Sequence, residues 1–167
     1  MVRAAVSEST ERAERALLRH TVATLAYRGG KALKGAPDGF ERFRAAEGSR
    51  SAGEILAHVG DLLDWAIRLA DGKHAWKDSP PLLWEAGSAR FFDGLARLDG
   101  RLSAAPLACP AGKVFQGPIA DALAHVGQIA MLRRLAGAPV RGENYFKASI
   151  EAGRVGPEQL EPGFEFD

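Results

Sequence analysis

The chain has little of what usually fixes a protein's class at once. Cys109 is its one cysteine in 167 residues, so an internal disulfide is excluded. Basic and acidic side chains nearly balance, 22 against 21, for a net charge of +1. That balance gives no electrostatic case for nucleic acid or an anionic membrane as partner. No apolar run approaches 18 residues, so no transmembrane helix is expected. The stretch Met1–Arg19 lacks the apolar centre of a signal peptide. With the scarcity of cysteine, this points to a reducing cytoplasm. Alternating strand patterns are almost absent, and there is no Walker loop, dinucleotide fingerprint or nucleophile elbow.

What is present is helical spacing. A first helix is predicted from Ser9 to Leu33, ended by Gly35-Ala-Pro37. A connector, Asp38–Ser49, holds a short helical turn at Phe40–Phe43. The second helix opens with Ser51-Ala-Gly-Glu54, which reads as a capping box, and runs to Asp71, where Gly72 stops it. Lys73–Pro81 reads as a loop. The third helix spans Leu82–Leu102, with Trp84, Ser88, Phe91, Leu95, Leu98 and Leu102 on one stripe. The fourth starts near Pro118, suited to a first-turn position, and stops at Gly137-Ala-Pro139. The tail, about residues 138–167, includes a short helix over Asn144–Ala152. The prediction is an all-α protein of one domain, residues 1–167, built as a four-helix bundle.

Two of these helices carry chemistry in an unusual place. Asp121 and His125 lie four residues apart, one turn apart on one helix face. His125 falls on the stripe of Ala122, Ile129, Leu132 and Ala136, which should face a core. His58 lies at the centre of the second helix's stripe, with Ser51, Ile55, Leu62, Trp65 and Leu69. Unpaired polar groups inside a core are costly, so these three need partners. One solution is a set of core histidines hydrogen-bonded to carboxylates. The other is a metal centre in which His58, Asp121 and His125 give two nitrogens and one oxygen. Such a set suits zinc or nickel, or manganese or iron, and leaves positions open for water or a substrate thiolate.

Other residues carry weaker signals. His20, Thr24 and Tyr27 share a stripe with Ala13 and Leu17, and His20 and Tyr27 are candidate acid–base groups or core-edge residues. Gln128 is a candidate for orienting a ligand or contacting substrate, with a surface role as the alternative. Glu54 is read as a cap. Asp61 is read as solvated, with orientation of an imidazole as its functional alternative. His74 is expected in solvent, Trp65 and Trp84 in the core, Trp76 at a pocket mouth, and Arg133 and Arg134 on a solvated flank. Nothing near Cys109 would lower its pKa, so it is not read as a nucleophile.

Glu54-Ile-Leu-Ala-His58-Val-Gly-Asp61, with His125-Val-Gly-Gln128-Ile and Leu135-Ala-Gly137-Ala-Pro139, resembles the DinB/YfiT-like superfamily of metalloenzymes. The resemblance covers about Glu8–Pro139, and the tail from Asn144 to Gln159 is similar to relatives of this type. It implies a four-helix bundle of up-down-down-up topology, a divalent metal held by three side chains, and a homodimer. Carried over by position, His58 and His125 are ligands, and the third falls on Asp121, where many relatives have histidine. Val126 stands where many members have arginine. The implied activity is that of a metal-dependent enzyme, a thiol S-transferase in detoxification or a hydrolase, acting on a small molecule with a low-molecular-weight thiol as cosubstrate. The alternatives are a non-catalytic, stress-associated module that binds a small ligand or metal, and a purely structural dimer.

Overall fold

The computed structural model describes residues 2–166, with side chains from residue 7 onward. Its elements are α1 (Val2–Leu33), a 3-10 turn (Phe40–Arg42), α2 (Ala52–Ala70), α3 (Trp84–Ala104), the short α4 (Ala111–Val114), a π-helical turn (Phe115–Ile119), α5 (Ala120–Leu135), and strands β1 (Gly142–Glu143) and β2 (Glu165–Phe166). The all-α expectation holds; β1 and β2 form a two-residue antiparallel ladder.

α1 begins ahead of the expected Ser9, since Arg3, Ala4 and Ala5 are good helix formers and nothing there breaks a helix. Its buried face is also not the one expected. Leu18, Val22, Leu25, Gly29 and Ala32 point inward at alternating steps of four and three, while Leu17 and His20 are exposed. Gly29 lets α3 come close, because a Cβ there would meet the Phe91 ring. α2 has the expected capping box: Ser51 Oγ accepts from the Glu54 N–H, and Glu54 Oε2 accepts from the Ser51 N–H at 2.7 Å. In α3, Phe91, Leu95, Leu98 and Leu102 are buried as predicted, although the helix starts at Trp84 rather than Leu82.

The last long helix departs from expectation at its start. The chain is already helical at Ala111, and Pro118 sits inside the π turn rather than opening a helix. Proline has no N–H and its ring crowds the preceding turn, and a π turn absorbs both defects. The predicted helix over Asn144–Ala152 does not form. The Asn144 N–H at its start donates instead to the Phe164 carbonyl, extending the β1–β2 pairing. The residues after it form local turns, Lys147 N–H to the Asn144 carbonyl and Ile150 N–H to the Ala148 carbonyl.

Contacts fix the helix directions. Along α2 and α3, Leu56 meets Gly87 and Leu63 meets Gly94, so the two run parallel. α3 runs against α1: Arg19 bonds Asp99, and Trp84 Nε1 donates to the Leu33 carbonyl. α5 runs against α2, with Asp121 beside His58 and Gly117 beside Trp65. Each long helix therefore touches two others: α1 and α2 each pack on α3 and α5. Parallel neighbours cannot be joined by a tight turn. α2 is about 28 Å long at 1.5 Å per residue, and residues 71–83 must return along it. This strap passes Trp65 with His74, His58 with Trp76, and Asp61 with Ser79.

Candidate metal centre

The three predicted ligands converge. α2 supplies His58 from its second turn, and the start of α5 supplies Asp121 and His125 one turn apart. Asp121 Oδ2 lies 3.6 Å from His58 Nε2, and its Oδ1 lies 3.4 Å from His125 Nε2. The imidazoles meet edge to face, with centroids 4.7 Å apart. One ligand atom from each residue falls within 4.8 Å of the others. Neither carboxylate–imidazole separation is that of an ordinary hydrogen bond. Donors held at roughly 2.0–2.1 Å around a tetrahedral ion lie about 3.3 Å apart. The two separations from Asp121 are close to that value, and this group could hold a metal ion.

The surroundings prepare the donors. His125 Nδ1 lies 2.9 Å from Gln128 Oε1, a contact that orients the ring with Nε2 facing the carboxylate. Burial first, then the neighbouring His125 and Arg50, holds the His58 pKa below the ordinary imidazole value, and Asp121 only partly opposes this. His58 is thus neutral at neutral pH, the form that ligates. Trp76 tilts over His58 at 5.4 Å, Trp65 stands 5.7 Å beyond Trp76, and His74 caps Trp65 at 5.8 Å. Asp121 is 49 % exposed at its side chain. The group is consequently not in the middle of the core, as the stripe suggested, but at its edge, with the carboxylate opening to solvent.

The remaining candidates are placed elsewhere. His20 is exposed, and no hydrogen bond, ion pair or ring contact among the described residues joins it to the triad. Tyr27 is buried under the tail, where its hydroxyl donates to Glu143 Oε1 at 2.8 Å; burial and Glu143 push its pKa upward. Glu54 is a cap, further held by Arg44. Asp61 corrects the solvated reading: it is 3 % exposed. Its carboxylate accepts from Arg90 at 2.7 Å and from the Ser79 N–H at 3.0 Å, so it anchors the strap that carries Trp76. Arg133 corrects the solvated-flank reading. It is 5 % exposed and donates to the carbonyls of Ala32, Lys34 and Gly35 at the end of α1. Burial raises the Cys109 thiol pKa, in line with the absence of a nucleophile there. No described helix is long and apolar enough to cross a membrane. Comparison of the chain with protein-family models, curated proteins and solved structures gave no match.

Proposed function

We propose that this protein is a divalent-metal-dependent enzyme of the DinB-like kind, with zinc or nickel as the preferred ion, that conjugates a low-molecular-weight thiol to small electrophiles. The observation that carries the reading is the convergence of His58, Asp121 and His125 at distances suited to a shared ion, with one flank open to solvent. The fold supports it. Two parallel pairs, α1 with α5 and α2 with α3, run against each other with a long α2–α3 connection, which is the arrangement of an up-down-down-up four-helix bundle.

In this reading His58, Asp121 and His125 would hold the ion, which would supply a lowered pKa to a bound thiol or water. Gln128 orients the His125 ring, burial keeps His58 neutral, and Trp76, with Trp65 behind it, packs beside His58. The thiol sulfur forms its bond to the electrophilic carbon as the leaving group departs with its electron pair, and the thiol proton leaves through the open flank. No role is assigned to His20, which is exposed, or to Tyr27, whose hydroxyl is bonded to Glu143. We include the homodimer that the resemblance implies, for which exposed Met131 and Leu135 on α5 offer apolar surface.

Elemental analysis of protein purified without a histidine tag is the first test, with one equivalent of divalent ion expected per chain. Mycothiol, bacillithiol, glutathione and cysteine are then screened with model electrophiles. No rate above free metal with any thiol would remove the transferase reading and leave a metal-binding module.

A further inference from the structure

We propose that the cavity beneath the C-terminal tail is a second ligand site, which takes a small organic anion with an apolar body. The cavity measures about 470 Å³, within the span of small-molecule pockets. Its floor includes Gly30 and Leu33 of α1 and Phe92 of α3, and its roof includes Val140, Pro157 and Leu160 of the tail. None of His58, Asp121 and His125 lines it.

Its charge is lopsided. Lys31, Lys34, Arg133 and Arg141 face it against only Glu161 and Glu165. Counting Glu143, which lies behind the wall on Lys31, still leaves one positive charge in excess. Arg133 is the source of that excess. Its guanidinium bonds four backbone carbonyls, those of Ala32, Lys34, Gly35 and Ala138, and no carboxylate pairs with it among the described residues. Guanidinium has five N–H donors, so one on Nη2 has no protein acceptor. Burial lowers the Arg133 pKa, as expected for a cation that a bound anion would stabilise. The lining is otherwise mostly aliphatic, aromatic or proline, which favours an anion with an apolar body over inorganic phosphate.

Gly30 offers a way to close the site. A Cβ there would lie 3.4 Å from Phe92 Cζ and 3.6 Å from Gln159 Cγ, so a methyl group fits and a larger side chain enters the cavity. Gly30→Leu replaces a glycine in the last turn of α1 with a better helix former. Ser88→Leu blocks from α3. The experiment titrates full-length protein in excess chelator with 1-anilinonaphthalene-8-sulfonate and with its uncharged parent, N-phenyl-1-naphthylamine. The expected result is one saturable site for the anion, at least tenfold tighter than for the uncharged probe. Each blocking variant that retains a cooperative melt should weaken the anion at least tenfold, and His125→Ala should leave it unchanged. Absence of saturable binding, equal affinity for the two probes, or parent-like affinity in a folded blocking variant would overturn the site. Because the protein is metal-free, none of these outcomes depends on the triad.

Discussion

Polar groups are handled in opposite ways on two sides of the molecule. Under the tail, the side chain of Glu143 is fully buried, and it accepts from Tyr27 Oη and Lys31 Nζ, each at 2.8 Å. Lys31 also meets Glu165, and Arg141 meets Glu165 in turn. At the triad, a carboxylate and two imidazoles stand 3.4 and 3.6 Å apart without an ordinary hydrogen bond between them. The tail network spends its polarity on joining β1 and β2 to α1. The facing atoms of the triad, with Asp121 open to solvent, make no ordinary hydrogen bond to one another, which leaves them available to a ligand.

The largest effect expected from breaking this contrast is on the tail side. Glu143→Leu strips a nearly buried lysine of one carboxylate and leaves the Tyr27 hydroxyl without an acceptor. Removing one partner of a buried ion pair costs about 3–5 kcal/mol. Urea unfolding of metal-free protein should show that loss, and the affinity of the surviving native state for metal should stay within about twofold of the parent. A stability change under about 1 kcal/mol would mean that the tail is not held by this network.

On the triad side the sign of the stability change should differ. In metal-free protein His125→Leu should leave stability level or raise it, because an imidazole at the core edge gives way to an apolar group. Its metal affinity should fall at least 100-fold, about 2.7 kcal/mol. Asp121→Ala should weaken binding less, and Asp121→His should restore or tighten binding of zinc or nickel. Gln128→Ala should cost about tenfold through loss of His125 orientation. Calorimetry of refolded apo variants reads all four. Parent-like affinity in His125→Leu would place the site elsewhere. Loss of the ion from Glu54→Gln but not from Asp121→Ala would move the carboxylate ligand to α2.

The triad was legible because its signals are local. His125 lies one turn from Asp121, and His58 is centred on a strongly amphipathic helix, so helical period alone put each on the right face. The capping box and the α3 stripe were legible for the same reason. What the sequence hid is long-range. Asp61 was read as solvated because nothing nearby foretells Arg90 at 2.7 Å or the return of residues 71–83 across it. Arg133 was read as solvated because its acceptors lie about a hundred residues away in the chain, at the end of α1. The Asn144–Ala152 helix failed at its start, where the Asn144 N–H is drawn to the Phe164 carbonyl twenty residues on. Pro118 misled in a different way: proline suits a first turn, but a π turn accommodates it within a helical run.

The smallest expected effect separates the two regions by pH. His58 has its pKa depressed, by burial first, then by His125 and Arg50. The unfolded chain therefore takes up this proton before the native protein does. The His58 contribution is complete above the ordinary imidazole value, about 6.5, and is lost as pH falls through the depressed native value. The tail behaves otherwise. Burial draws the Lys31 pKa down, but the bonds to Glu143 and Glu165 outweigh it, and the net shift is upward. That contribution is complete below the ordinary lysine value, about 10.4, and is lost as pH rises through the raised native value. Tyr27, also shifted upward, adds to the alkaline loss. Glu165, held down chiefly by Lys31, gives way only as pH falls below the ordinary carboxylate range. Between about pH 5 and 6.5 the triad is then the region expected to respond, with its histidine near ordinary imidazole values and the tail groups outside their ranges. Urea midpoints of metal-free parent and His58→Leu, compared from pH 8 to 5, isolate that response. The parent should lose stability across the window relative to the variant, and Glu143→Leu should track the parent's slope. A parent and His58→Leu with the same slope would mean that His58 titrates in the native protein as it does in the unfolded chain. The imidazole would then not be held neutral by its burial, and the contrast between the two sides would lose its electrostatic half.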